Sequence, residues 1–475
     1  MSSTKPDFVS PPPDESAAKN ATPIGALIAS ISDDDDRLPK RPYQWLALMA
    51  ASALVGVFSG LMGGAFRLVL TWFDAVRTAM LLFAHSHFPA WAGWLMPTAL
   101  CSLGAAAGSW LTQRLAPQTA GSGIPRVEAV LRTHLRPAKG NILLVKFVGG
   151  ALSIGSGLAL GREGPTVQMG GTIGRIVSDM LRRLVAEPWT LIAAGAGAGL
   201  AVAFNAPLAA VLFVVEELLH RFSARVFTAT LVSCITGTVV LRAMLGNAPD
   251  FGVAHLPPVP TDVLPEYLLL GLLAGLLGVL FNVSLLGSLH LFDLAQHWHK
   301  GTKGAAVGSL VGLLAWFSPG SVGGGEGMAQ RAIAGNLPWK MLAGLILIRF
   351  VLTMFSYGSG APGGIFAPLL AIGALLGNGF GALNSVLRHA PAEPTAYSIV
   401  AMAAIFTAIV RSPLTGVVLL LEMTGSWTLI LPMMVASVTA YAVPELLGNA
   451  PIYDSLRLRD EAIEHSRTVS QPWTG

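Results

Sequence analysis

The chain has 475 residues, of which 53% are hydrophobic and 12% charged, about half the ~25% charge of an ordinary soluble domain. Its 30 basic and 26 acidic side chains leave a formal net charge of +4, too few charges to solvate a globule of this size and too small an excess to mark a nucleic-acid binder. A polytopic membrane protein fits this composition; a soluble enzyme, a disordered chain and a nucleic-acid binder do not.

Residues 1–42 are polar and Pro-rich, with four consecutive aspartates at 33–36. No apolar core follows an early basic region, so this stretch lacks a signal-peptide pattern and reads as a cytoplasmic tail. Arg37, Lys40 and Arg41 flank the first apolar segment and place that end on the cytoplasmic side. Apolar segments then follow at 45–66, 94–111, 142–158, 191–204, 207–219, 227–245, 267–289, 305–317, 342–354, 366–383, 398–410, 414–421 and 429–443. Several fall well short of the ~20 residues a membrane-spanning helix needs. Half-helices that meet inside the membrane explain them, since free backbone ends are tolerated where they line a cavity or are buried in protein. The 53 glycines and 31 prolines agree with close packing and interrupted helices. The membrane domain is predicted over 43–455, and the charged residues 456–475 form a second short cytoplasmic tail. Cys101 and Cys234 lie in apolar runs and read as small buried hydrophobes.

The chain repeats itself weakly, which divides the membrane domain into halves at about 43–246 and 264–446. In 203–216 and 409–422, Pro-Leu precedes an apolar run, and a glutamate stands nine residues after the proline. In 161–165 and 364–368, Gly and Pro bracket three residues, with further glycines at 170 and 174 in one half and 373 and 377 in the other. The offsets, 206 and 203, nearly agree. Matched Gly/Pro interruptions in two halves point to a midplane binding site between them.

Three Gly-rich breaks precede apolar helices: Gly-Ser-Gly-Ile-Pro at 121–125, Gly-Arg-Glu-Gly-Pro at 161–165 and Gly-Gly-Ile-Phe-Ala-Pro at 363–368. Pro is well placed at a helix start. Converging helix N-termini offer unpaired N–H groups and a positive dipole end, an arrangement for an anion. Glu163 is an acid inside such a break within an apolar stretch, and intramembrane carboxylates are functional by default; the alternative is a salt bridge to Arg162. Glu216 and Glu217 end an apolar run. Glu216 has a repeat counterpart in Glu422, which suggests a shared architectural role, whereas position 423, opposite Glu217, is Met. Glu217 is therefore the extra acid. Two readings stay open for Lys146: a buried partner for a carboxylate such as Glu128, or a side chain that snorkels to the interface. His85/His87 and His297/His299 have metal-like spacing but sit in predicted loops with few carboxylates. Gly161–Pro165 lacks the Gly-Lys-Ser/Thr ending of a phosphate loop.

The three motifs in this order resemble the CLC family of chloride channels and proton/chloride antiporters, and most closely its bacterial antiporters. The resemblance runs from about Tyr43 to Tyr453, strengthened by 201–217, 359–368 and 412–424. It implies an all-α polytopic fold of two inverted-topology repeats with tilted and broken helices. It further implies a homodimer with one ion pathway per subunit, embedded in the bilayer. By the same resemblance, Ser122 and Tyr453 supply hydroxyls to a central chloride, together with the backbone N–H groups of Ile365 and Phe366. The amides of Arg162, Gly164 and Ala367 face an outer site, and those of Gly121 and Ser122 an inner one. Glu163 is the external gate and Glu217 the internal proton-transfer acid. The expected activity is exchange of chloride for protons, without cofactor, metal or enzymatic chemistry, in the bacterial inner membrane with both termini cytoplasmic. A passive voltage- or pH-gated chloride channel of the same fold is the alternative, and the inner acid Glu217 argues against it.

Overall fold

Inside a bilayer, backbone N–H and C=O groups must bond within the protein, and the chain meets that demand almost wholly with helices. The computed structural model describes residues 42–469, apart from 134, 136, 138–139, 184–186, 254–255, 296, 336 and 389–393. Among the described residues there is no β-strand, only two isolated bridges. The sequence expectations for residues 1–41, including Arg37, Lys40 and Arg41, fall outside the described residues.

The first half comprises α1 (Pro42–His87), α2 (Leu95–Leu115), α3 (Ile124–Thr133), α4 (Asn141–Gly155), α5 (Glu163–Met180), α6 (Pro188–Phe204), α7 (Pro207–Phe213, prolonged by a π-helical turn Val214–Leu219) and α8 (Ala224–Leu245). The second comprises α9 (Leu264–Leu294), α10 (Thr302–Phe317), α11 (Glu326–Ile333), α12 (Trp339–Gly358), α13 (Phe366–Arg388), α14 (Pro394–Val410), α15 (Pro413–Thr424) and α16 (Ile430–Leu446), and α17 (Ile452–Val469) follows. The packing repeats: α5 lies on α6 as α13 lies on α14, and α1 and α8 embrace α6 as α9 and α16 embrace α14. Six described helices (α1, α8, α9, α12, α13 and α16) are long and apolar enough to cross a membrane.

Several elements depart from the sequence expectation. Helix α1 has 46 residues, or ~69 Å at 1.5 Å per residue, against ~30 Å of hydrocarbon. It carries His85 and His87 on its last turns, not in a loop; His85 stacks on Trp316 and His87 on Phe83. Helices α3, α5, α11 and α17 escape an apolar-segment scan because they carry charges or open on a Gly-rich break. Helix α17 runs through the boundary expected at 455/456, and its Arg457 bonds the buried Glu128 of α3 at 2.9 Å.

The core is built on α6 and α14. Both are apolar around their whole circumference, as helices wrapped on all sides are; every residue from Ala396 to Val410 is buried. The repeated glycines explain how their neighbours come so close. A Cβ on Gly170 or Gly174 would lie 2.1 or 2.0 Å from the carbonyl oxygens of Gly195 or Leu191 in α6, and one on Gly377 would lie 2.1 Å from the Tyr397 carbonyl in α14. Helix axes at this separation hold α5 and α13, and so their N-termini, in fixed positions.

Gly377→Ala must therefore push backbone apart. We expect a loss of about 1–3 kcal/mol, read as a lower thermal unfolding midpoint in detergent. Gly344→Ala, whose Cβ would meet nothing within 4 Å, should keep or raise the midpoint. Equal midpoints for the two variants would refute the close approach.

Candidate functional site

The three Gly-rich breaks, far apart in sequence, are bonded to one another through their backbones. Gly161 and Gly364 exchange two hydrogen bonds of 2.8 and 2.7 Å. The Gly121 amide donates to the Ala361 carbonyl at 3.3 Å, and the Gly363 amide donates to the Gly121 carbonyl at 3.0 Å. Irregular backbone in the protein interior is thus satisfied by other irregular backbone. Helices α3, α5 and α13 all begin at this cross-link.

Glu163 is the first residue of α5 and is fully buried. Its side chain reaches across to the start of α13, where Oε1 accepts from the amides of Phe366 at 2.6 Å and Ala367 at 3.3 Å. The carboxylate thus occupies a place where an anion meets a helix N-terminus. Two glycines make room for it: a Cβ on Gly161 would stand 2.1 Å from Glu163 Oε2, and one on Gly364 2.5 Å from Oε1. Oε2 has no hydrogen-bond partner among the described residues. The alternative of a salt bridge to Arg162 is not formed, because that guanidinium pairs with Asp250 at 3.0 Å and Glu326 at 3.0 Å.

Beside this carboxylate lie two buried hydroxyls. Ser122 is 1% exposed and Tyr453 0%; they are neighbours, yet neither oxygen has a protein partner of hydrogen-bond geometry among the described residues. Orphaned buried hydroxyls are rare and costly, and two together form a donor pair suited to an anion. Gly164 lets the α5 start rest on Ser122, since a Cβ there would lie 2.5 Å from Ser122 Oγ. Ile365 is fully buried at the turn into α13. Phe366 fixes the far wall, its ring 5.7 Å from Tyr453, 5.7 Å from Phe213 and 4.8 Å from Phe406. The inner anion contact expected of the Gly121 and Ser122 amides is not open in this conformation. Gly121 is bonded as described, and Ser122 donates to the Tyr357 hydroxyl at 3.4 Å.

The other charged residues brace the site without entering it. Arg162 and Arg67 share Asp250, with Arg67 at 2.7 Å. A cavity of about 350 Å³ opens next to Gly161 and Arg162, lined also by Arg77, Arg331, Asp74 and Glu326. Lys146 follows neither of its expected readings: it is wholly buried, and its Nζ donates to the carbonyls of Thr119 and Gly121 at 2.8 Å each. It thereby ties down the loop that carries Ser122. Arg349, also fully buried, donates to the carbonyls of Gly323 and Gly324 ahead of α11. Neither role was legible in the sequence, because backbone acceptors leave no side-chain signature.

The paired acids Glu216 and Glu217 sit in the π turn after α7, a geometry frequent at functional sites. They do different things. Glu216 accepts from the amides of Leu414 at 3.1 Å and Thr415 at 2.8 Å, and so caps α15. Glu422, its repeat counterpart, accepts from Leu208 at 3.1 Å and Ala209 at 2.8 Å and caps α7. The architectural role expected from the repeat is this reciprocal capping. Glu217, 3% exposed, turns inward instead, and the Ser412 hydroxyl donates to its Oε2 at 2.6 Å. Ser412 was missed; its signal lay in the repeat, which has Ala206 at the matching position.

An ion network closes the end of the molecule beyond Glu217. Arg132 and Arg457 both bond Glu128 and Asp454, over 2.7–3.0 Å, joining α3 to α17. Burial pushes the Asp454 carboxyl up, but the hydrogen bond from Arg457 and the charge of Arg132 outweigh it and hold the group below its ordinary value.

Comparison with known proteins places this geometry in context. A family model described as voltage gated chloride channel matches residues 103–445. A protein of Salmonella paratyphi A named H(+)/Cl(-) exchange transporter ClcA is 40% identical over 451 residues, covering 92% of this chain and 94% of its own length. The protein of the same name from Salmonella typhimurium is 40% identical over 438 residues, covering 90% of this chain and 91% of its own. Among solved structures, one described as a slow cyanobacterial Cl-/H+ antiporter superposes with a TM-score of 0.83 at 34% identity, over 88% of this chain and 98% of that one.

The reciprocal caps can be tested apart from any transport assay. Glu422→Ala and Glu216→Ala should each cost about 0.5–2 kcal/mol, the range for a lost helix cap. Differential scanning fluorimetry in detergent reads this as two lowered midpoints. Two unchanged midpoints would rule the caps out as a stabilising device.

Proposed function

The chain belongs to the voltage-gated chloride channel family, and from that premise we propose that it exchanges chloride for protons across the bacterial inner membrane, as a homodimer with one ion path per subunit. The observation that carries this reading is the Glu163 carboxylate, seated on the α13 amides beside the orphaned hydroxyls of Ser122 and Tyr453. A carboxylate in that place competes with an anion for the same donors. Once protonated it loses its negative charge, releases those amides to chloride and carries its proton with it. One side chain thus links the two fluxes.

The donor set suits chloride. Ser122, Tyr453 and the amides of Ile365 and Phe366 give partial positive charge without a full cation that would trap the ion. The amides of Arg162, Gly164 and Ala367 form the outer station in this reading, and Arg162 lines the cavity. The cation-bearing side chains, Arg162 and Lys146, are spent on Asp250, Glu326 and backbone carbonyls. Glu217 is the inner proton acid: it is buried, close to the Asp454 and Glu128 network, and off the line of helix N-termini that chloride follows. In this orientation both termini are cytoplasmic, and the cavity beside Arg162 opens outward. Each subunit carries its own site, since every residue named comes from one chain.

In reconstituted vesicles, Glu163→Gln and Glu217→Gln should each abolish proton uptake driven by a chloride gradient while chloride efflux persists. A pH electrode and a chloride electrode on the same vesicles measure both. Wild-type protein that moves chloride and no protons would make it a passive channel.

Tyr453→Ala removes one of the two hydroxyl donors. A hydrogen bond to an ion contributes about 1.5–3 kcal/mol, so chloride affinity measured by calorimetry should fall roughly tenfold or more. An unaltered affinity would exclude Tyr453 from the site.

A further inference from the structure

The two repeats agree closely around the starts of α7 and α15. Asn205 and Arg411 both adopt a left-handed backbone, with φ of 51° and 77°. Ala206 and Ser412 follow with nearly the same conformation, φ −127° and ψ 78° against φ −112° and ψ 78°. Pro207 and Pro413 open the helices, and Glu216 and Glu422 cap them crosswise. Among the positions where the two halves differ chemically are 217, where Glu stands against Met423, and 412, where Ser stands against Ala206. Those two odd residues are bonded to each other, at 2.6 Å and out of solvent.

The serine is not there to cap its own helix. Serine before a helix ordinarily accepts from an amide of the first turn, but Ser412 makes no such bond, and Glu216 has taken those amides. Alanine is compatible with this backbone, because Ala206 adopts it in the other half. The hydroxyl is therefore dispensable for the turn and is directed wholly at Glu217.

We propose that Ser412 is the positioning residue for the proton-accepting carboxylate Glu217, a reading that rests on the exchange function proposed above. A hydroxyl both donates and accepts. It donates to the Glu217 carboxylate and, after rotation about Cβ–Oγ, accepts from the carboxylic acid. The bond survives either protonation state and keeps Glu217 in one rotamer while it loads and unloads. The proton comes from water at the inner face, resides on a Glu217 oxygen and leaves towards Glu163; Ser412 keeps its own. The ionisable groups that act on Glu217 include Glu216 in its own turn, Glu128 of α3 and Asp454 and Tyr453 of α17, and α3, which packs on the turn, also carries Arg126 and Arg132. Helix α6, which also packs on the turn, has no ionisable side chain.

The test uses the full-length protein in liposomes, with infrared difference spectroscopy and paired electrodes. The carboxylic C=O band of Glu217 is assigned by its loss in Glu217→Gln. In Ser412→Ala that band should shift in frequency, its titration midpoint should move to higher pH because the bond lost by the charged form is stronger than the one lost by the acid, and proton uptake should fall about tenfold while chloride efflux stays near wild type. Ser412→Thr, which restores a hydroxyl, should return both band and uptake. An unmoved band with unchanged uptake in Ser412→Ala overturns the proposal alone, and so does a parallel loss of proton and chloride flux that Thr does not rescue. Wild-type vesicles that move no protons overturn the exchange reading and this proposal together.

Discussion

Helices that begin in the interior of a membrane protein leave amides that water cannot reach, and the architecture here follows from how those amides are bonded. Three carboxylates meet the need at three helix starts: Glu163 at α13, Glu216 at α15 and Glu422 at α7. The chemistry is the same in each, a negative charge at the positive end of a helix. The surroundings differ. Glu216 and Glu422 use both oxygens on two amides each and lock two helices crosswise. Glu163 engages through one oxygen only, beside two hydroxyls that have no partner of hydrogen-bond geometry among the described residues and between two glycines that leave it space. A carboxylate held that way has fewer bonds to give up than a cap, which is what the proposed gate requires.

The position of Glu163, the proposed gate, depends on close packing some distance away. Glycines 170 and 174 in α5, and 373 and 377 in α13, set those helices against α6 and α14 with no room for a methyl group. Helix starts anchored so firmly can present N–H groups at fixed separations, and the cross-bonded breaks at Gly121, Gly161 and Gly364 keep them converged. Cationic side chains stand one layer back. Arg162 is paired with Asp250 and Glu326, and the Lys146 ammonium donates to backbone carbonyls, so in the proposed function an anion is held by dipoles and not by a cationic side chain.

Twofold internal symmetry builds the scaffold, and departures from it bring the chemistry. The halves share helix order, packing partners and crossed caps. Glu217 and Ser412 have the apolar counterparts Met423 and Ala206, so the proposed inner proton acid has no counterpart in the other half. A transporter that moves protons by a route apart from the anion needs such an asymmetry.

By itself, the sequence determined the class of the molecule, the presence of two repeats and the identity of the three converging breaks. Those properties live in composition, spacing and Gly/Pro placement, which are local and survive without coordinates. It also singled out Glu163 by its setting and separated Glu216 from Glu217 by the repeat. Only the tertiary structure decided where Lys146 points, that Arg162 pairs with Asp250 and not Glu163, that the amides of Gly121 and Ser122 are already bonded, and that Ser412 meets Glu217. Each of these is a contact between residues far apart in the chain, often with a backbone atom as one partner. A carbonyl or amide has the same identity at every position, so nothing in the order of side chains announces which one will be met; the packing of glycine-faced helices makes that choice.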